Sequence, residues 1–196
     1  MNYKHDKDKV IKKGMELFWA KGYHNLGVAE ICRETGMTKG AFYNAFKSKE
    51  NYLNSTIESY GNLISDHLEK RLTNSKLKAF DKLLFLYKEL LDAQTKNKHI
   101  GCFVNNTMSE MGALNASIAS ATSDQFNKFL NTIEPTVREA QKDKDLCNTI
   151  NSKLLTEIIH TTFFGLLTRS KSTKTSGSTV MTTFLNTLKN RKYERN

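Results

Sequence analysis

Between Val28 and Lys49 the chain reads VAEICRETGMTKGAFYNAFKSK, and the spacing of its residues permits little besides two short helices around a tight turn. Val28, Ile31 and Cys32 recur at helical spacing and give the first helix a narrow apolar face. Gly36 supplies the left-handed position that reverses the backbone, with Met37 folding back onto the core. Thr38 is placed to N-cap a second helix, Lys39–Phe46, through its hydroxyl. Phe42 and Phe46, four apart, anchor that helix. Its other face holds Lys39, Tyr43 and Asn44, which have no core to fill. Gly40 and Ala41 are small enough to let a groove wall come close. This is the anatomy of a helix-turn-helix whose second helix reads DNA. An ordinary helical hairpin with a basic outer face has the same pattern, so the rest of the chain must decide between them.

The class is all-α. Among 196 residues there is one proline and there are ten glycines, strand-like alternation is scarce, and three- and four-residue apolar periodicities fill most of the sequence. No run approaches the ~18 apolar residues of a membrane span, and the charged start MNYKHDKDK lacks the apolar centre of a signal peptide. The three cysteines are far apart and form no paired metal pattern, which fits a reducing cytoplasm. The net charge of +10 is uneven. Residues 1–50 carry ten Lys/Arg against six Asp/Glu, residues 51–168 thirteen of each, and residues 169–196 seven against one. A basic head on a neutral body fits a DNA-binding domain joined to something else; the basic tail reads as a solvated end.

In order, residues 4–21 form an amphipathic helix with Val10, Met15, Leu17, Phe18 and Ala20 on its apolar side, ended by Gly22. Ser48 N-caps a long helix over 48–72, in which Tyr52, Ile57, Tyr60, Leu63 and Leu68 recur at helical spacing; at 1.5 Å per residue this is a rod of ~35 Å. Helices follow over 76–96, 102–113 and 115–142, the last expected to kink or break at Pro135. KDKD (142–145) is a loop, 148–168 a helix, SKSTKTSGS (170–178) a flexible linker, and 179–190 a last helix.

The stretch 20–53, AKGYHNLGVAEICRETGMTKGAFYNAFKSKENYL, closely resembles the DNA-binding domain of TetR-family (tetracycline-repressor-like) transcriptional regulators. The matching features are Lys21–Gly22–Tyr23, Ala29 with Ile31, Gly36–Met37–Thr38, and Tyr43, Phe46, Lys49–Glu50. Two positions depart: Gly27 stands where a capping Thr is common, and Ala45 where a His or Tyr is frequent. The resemblance implies a helix-turn-helix domain over 1–47 and an effector-binding and dimerisation domain over 48–196, with 48–72 connecting them. It further implies a homodimer through 148–168 and 179–190 and a palindromic double-stranded operator. The expected function is a repressor released by a small-molecule effector, which binds among helices 76–168 and tilts the connecting rod.

Within that frame Lys39 is the candidate for reading a guanine edge. Tyr43, Asn44, Lys47 and Lys49 are candidates for phosphates, Thr38 for capping and backbone contact, and Gly40 and Ala41 for close approach. The segment GCFVNNTMSEMG (101–112) stands out from the generic body. As a helix it puts Cys102, Asn105, Asn106 and Ser109 on one face, where small polar groups suit an effector pocket, together with Phe126, His160 and Phe164. Its Gly–Cys–Phe–x–x–Asn resembles a TetR subgroup that includes cysteine-based sensors, which makes Cys102 a candidate thiol sensor at a helix N-terminus. The other reading of Cys102 is a small buried hydrophobe. Scattered histidines and the absence of a nucleophile elbow, phosphate-binding loop or dinucleotide fingerprint argue against an enzyme, a metal site or a cofactor. A non-specific architectural DNA binder is the remaining alternative, although it would need no neutral hundred-residue body.

Overall fold

The structure is a computed structural model and describes residues 3–73 and 76–190. Nine helices follow one another among them: α1 (Tyr3–Lys21), α2 (Val28–Thr35), α3 (Lys39–Phe46), α4 (Lys49–Thr73), α5 (Ala79–Lys96), α6 (Phe103–Met111), α7 (Ala116–Lys142), α8 (Ser152–Thr173) and α9 (Ser178–Thr187). Among the described residues no strand forms; an isolated antiparallel bridge joins Leu146 and Lys189. The chain divides into two compact units, Met1–Ile64 with Cys102–Asn127, and Ser65–Gly101 with Lys128–Asn196, so α4 and α7 each contribute to both.

The first unit is organised on Tyr52. Its ring is fully buried, with Phe18, Phe42 and Phe46 at 5.8, 5.3 and 4.6 Å between centroids. Its hydroxyl donates to the Val10 carbonyl at 2.6 Å. Gly14 makes room for that bond, because a Cβ there would lie 2.1 Å from the hydroxyl oxygen. α1 and α4 therefore meet at a glycine and a tyrosine, and the two α3 phenylalanines close over the same ring. Gly22 and Gly36 both sit in the left-handed region, at φ +76° and +73°, and end α1 and α2. Ser48 caps α4 by accepting the Asn51 N–H at 3.0 Å.

The second unit packs α5 against α8 and α9. Leu83, Leu86, Tyr87 and Leu91 of α5 are buried, as are Ile159, Phe163 and Leu167 of α8 and Met181 and Leu185 of α9. The α7–α8 loop is tied to the end of α9: the Cys147 N–H donates to the Leu188 carbonyl at 2.9 Å, and the Asn190 side-chain amide to the Leu146 and Lys144 carbonyls at 2.8 and 3.1 Å.

Several sequence expectations change. α7 runs unbroken through Pro135. The ring removes one N–H, but Pro135 and Asn131, whose carbonyl loses its helical donor, are both exposed, so water takes the donor's place. α8 begins at Ser152 rather than 148, capped by the Asn151 side chain, and extends five residues beyond 168 into the expected linker. The serines and threonines there do not break it, because the Ser170 and Thr173 hydroxyls donate back to the Leu167 and Arg169 carbonyls. Only 174–177 remains as a turn, with Lys174 and Gly177 left-handed. Ala20 and Leu63, assigned to apolar faces, are exposed. Residues 191–196 of the basic tail lie outside the described residues.

Candidate nucleic-acid interface

α3 is fixed from both ends. At its start Thr38 takes an extended conformation, and its hydroxyl accepts the Ala41 N–H at 3.1 Å. Inside, Phe42 and Phe46 are buried. What remains faces outward: Thr38, Lys39, Gly40, Tyr43 and Asn44 are exposed and Ala41 is half-buried. Tyr43 retains about half of its surface (48%), so it is not tucked against α1. A Cβ on Gly40 would meet nothing within 4 Å, so nothing within the chain demands a glycine there.

The exit from α3 is unusual. Lys47 has φ +67° and ψ −41°, and the Ser48 N–H donates to the Phe46 carbonyl at 2.8 Å, closing a γ-turn over a non-glycine residue. The turn leaves the Lys47 side chain exposed. Lys49, expected beside it on a phosphate, is instead turned inward. Its ammonium donates to the Tyr23 and Leu26 carbonyls at 2.9 and 3.0 Å and lies 4.0 Å from the Tyr23 ring centroid. Desolvation holds its pKa below the ordinary lysine value, against the opposing pull of Glu110. With two of its three donors taken by carbonyls, Lys49 does not belong to the outward face.

Beside α3 the turn and α1 enclose a cleft of about 560 Å³. Val10 and Phe46 line it together with Met37, Thr38 and Ala41, and Lys7, Lys9 and Lys13 of α1 stand around it with Glu34. These lysines extend the positive face beyond α3. Sequence reasoning missed them; their one signal is the recurrence of lysine at 7, 9 and 13 along α1, Lys7 and Lys13 each three residues from Val10.

The effector candidates are divided. Cys102, Asn105, Asn106, Ser109 and Phe126 belong to the first unit, His160 and Phe164 to the second. Cys102 is the residue preceding α6; it is buried, and its sulfur accepts from the Tyr60 hydroxyl at 3.5 Å. Asn105 is buried and Asn106 half-buried, but Ser109 is exposed, its hydroxyl donating to the Asn105 carbonyl at 2.9 Å. The four therefore do not share one environment, because Ser109 satisfies its hydroxyl on the backbone one turn back. His160 is buried among the rings of Phe163, Phe164 and Phe129, with Nδ1 3.2 Å from the Tyr87 hydroxyl. Burial brings its pKa down to about 3, so the imidazole is neutral. Of the three thiols, Cys32 is pushed up by burial, whereas Cys147 is lowered by a hydrogen bond from the Thr149 hydroxyl at 2.9 Å. Nothing in the spacing of the three cysteines sets Cys147 apart from the others. No cluster of three metal-binding side chains occurs among the described residues.

Comparison with known proteins locates this arrangement. The family model described as bacterial regulatory proteins, tetR family, matches residues 10–55, and the one described as tetracyclin repressor-like, C-terminal domain, matches residues 79–183. The chain is 26% identical over 163 residues to the transcriptional regulator AcuR of Cereibacter sphaeroides, covering 83% of this chain and 74% of AcuR. It is 21% identical over 165 residues to the HTH-type transcriptional repressor DhaR of a Mycobacterium sp. (strain GP1), covering 83% and 80%. In fold it is similar to a regulatory protein TetR from Rhodobacter sphaeroides, with a TM-score of 0.84 at 23% identity over 94% of this chain and 98% of the other. It is also similar to the reduced form of NemR from E. coli, with a TM-score of 0.82 at 17% identity over 94% and 97%. Both parts of the chain are matched, the second match alone spanning more than half of it, and this protein belongs to the TetR family of transcriptional regulators.

Proposed function

We propose that this regulator is a repressor that binds a palindromic operator through α3, with Lys39 at the base edges and Thr38, Tyr43, Asn44 and Lys47 on the backbone. Gly40 and Ala41 let the groove wall approach. The observation that carries this reading is the outward face of α3: polar, capped by Thr38, and open at Gly40 although no internal packing requires a glycine there. Lys7, Lys9 and Lys13 around the neighbouring cleft supply further phosphate contacts. The head over 1–47 acts as the reader and 48–196 as the effector-binding and dimerisation part, in the cytoplasm.

The dimer uses α8 and α9. Leu154, Ile158, Thr161 and Gly165 recur at helical spacing along one exposed, uncharged stripe of α8, and Val180 is 47% exposed on α9. A two-fold pairing through such a stripe sets two recognition helices on half-sites a helical turn or more apart. A small molecule that prefers the operator-incompetent state by ~1–3 kcal/mol is enough for control. Two candidate sites are proposed for it, each within one unit: Asn105, Asn106 and Phe126 in the first, and His160 and Phe164 in the second. Cys102 acts as a buried partner of Tyr60 rather than as an open thiol, and its Gly–Cys–Phe–x–x–Asn setting serves packing.

The test is fluorescence anisotropy on duplexes selected from random sequence by the wild-type dimer, with competitor DNA and a salt series. Competitor-resistant binding that Lys39→Ala and Tyr43→Ala abolish supports the reading. Binding that vanishes with competitor identifies a non-specific binder, and binding indifferent to both substitutions moves the recognition surface off α3.

A further inference from the structure

The turn between α1 and α2 sets the direction in which α2 and α3 leave α1, and side chains from two other helices grip it. Glu110, in the last turn of α6, accepts the Tyr23 N–H at 2.9 and 3.1 Å through its two oxygens and the His24 N–H at 3.3 Å. Both donors lie just beyond the end of α1, where the chain has left the helix. Gly22 makes the seat: a Cβ there would stand 2.9 Å from the nearer carboxylate oxygen, and its φ of +76° is one that other residues adopt at a cost. From the opposite side Lys49, in the first turn of α4, donates to the Tyr23 and Leu26 carbonyls and covers the Tyr23 ring. Tyr23 is thus held by its N–H from α6 and by its C=O from α4. Leu26, whose carbonyl is the second acceptor, is fully buried. Beyond it, Lys21 and Glu30 bridge the end of α1 to α2 at 2.6 Å.

A carboxylate on two backbone N–H groups and an ammonium on two backbone carbonyls are charge-assisted bonds, the stronger class of hydrogen bond. None of these four backbone groups is needed by a helix ladder, so without the clasp they would turn to water. All participants lie in the first unit. We infer that Glu110, working with Lys49, is a positioning residue for DNA binding: it holds the α1–α2 turn so that α3 keeps the orientation its operator requires, without touching DNA. This makes α6 a strut of the reading head, although its sequence lies some sixty residues beyond α3. The inference rests on the proposed DNA-binding role of α3.

The experiment compares the wild-type dimer with Glu110→Ala, Glu110→Gln, Lys49→Met and the Glu110→Ala/Lys49→Met double variant. Hydrogen exchange of the Tyr23 and His24 amides needs no DNA. Glu110→Ala is expected to speed it at least ten-fold, and Glu110→Gln, which keeps one acceptor oxygen, less. On a selected operator duplex Glu110→Ala is expected to weaken binding at least ten-fold with circular dichroism unchanged at the assay temperature. The slope of log affinity against log salt should stay at the wild-type value, because no phosphate contact is lost. Glu110→Gln should restore part of the affinity, and the double variant should lose little more than either single, as two halves of one device do. Unchanged amide exchange in Glu110→Ala overturns the clasp. Faster exchange with unchanged operator affinity overturns its role in positioning, and additive losses overturn the joint action with Lys49. If the wild-type dimer selects no sequence, the DNA-binding reading itself fails, while the exchange arm still decides whether the clasp holds the turn.

Discussion

Lys47 allows charge and backbone geometry to be separated at one position. Its φ of +67° at ψ −41° lies in a region costing a non-glycine residue of order 1–3 kcal/mol. Lys47→Gly removes most of that strain and loses about 1 kcal/mol to the greater freedom of the unfolded chain. The net gain is about 1 kcal/mol, a rise in Tm of about 2–4 °C for a chain of this size. Lys47→Ala keeps the strain and should show no rise. Both substitutions delete the exposed ammonium, and in a dimer that is two charges. If each contacts a phosphate, the slope of log affinity against log salt falls by about 1.8. Between about 50 and about 200 mM salt the defect of either variant should therefore shrink roughly twelve-fold. Anisotropy titrations across that range measure the slope, and differential scanning calorimetry the Tm. Slopes equal to wild type in both variants would remove Lys47 from the interface. A glycine variant no more stable than the alanine variant would show that the γ-turn stores no strain.

Other substitutions test the packing on which the head and body depend. Gly14→Ala places a methyl 2.1 Å from the Tyr52 hydroxyl and forces it off the Val10 carbonyl; urea denaturation should show a loss of about 2–4 kcal/mol, and a variant as stable as wild type would refute the contact. His160, neutral in the fold at a pKa of about 3 against an ordinary 6.5, binds a proton more readily when unfolded. Its contribution is therefore whole above pH 6.5 and declines as the pH falls from there toward 3, amounting to about 2–3 kcal/mol by pH 4.5. His160→Gln should flatten that acid limb, and an unaltered limb would mean that other groups set it. Pro135→Ala restores an N–H opposite the exposed Asn131 carbonyl and should raise stability by about 1–2 kcal/mol in thermal melts. Ile158→Glu, on the uncharged stripe of α8, should shift sedimentation equilibrium toward monomer and weaken operator binding more than ten-fold; an intact dimer would place the interface elsewhere.

The fold was legible wherever one residue type had one local use. Thr38 before a helix, Gly36 and Gly22 after one, and Ser48 ahead of α4 are local devices, and each is where its spacing put it. Pro135 and the serine–threonine run after 168 misled for one reason. Their cost or benefit depends on whether a freed carbonyl meets water and whether a hydroxyl can turn back onto its own helix, and neither is visible in composition. Ser109 shows the same limit at the effector candidates: helical spacing put it with Asn105, but its hydroxyl is satisfied one turn back and the residue faces out. The aromatic setting of His160 was out of reach, since Tyr87 and Phe129 come to it from 73 and 31 positions away in the chain.

Lys49 marks where a motif and its chemistry part. A lysine in the first turn of a helix, just beyond a reading helix, suits a phosphate on sequence grounds, and its neighbour Lys47 has the exposure that role requires. What separates two lysines two residues apart is the γ-turn between them, which leaves the first in water and starts the second on α4 beneath Tyr23. Once there, the ammonium trades hydration for two carbonyls and a ring face, a trade that lowers its pKa yet holds backbone groups that would otherwise turn to water. Lys49→Met should therefore weaken operator binding without changing its salt slope, whereas Lys47→Ala should change the slope. If both variants changed the slope alike, Lys49 would be reaching a phosphate after all, and the inward geometry would describe only the protein without DNA.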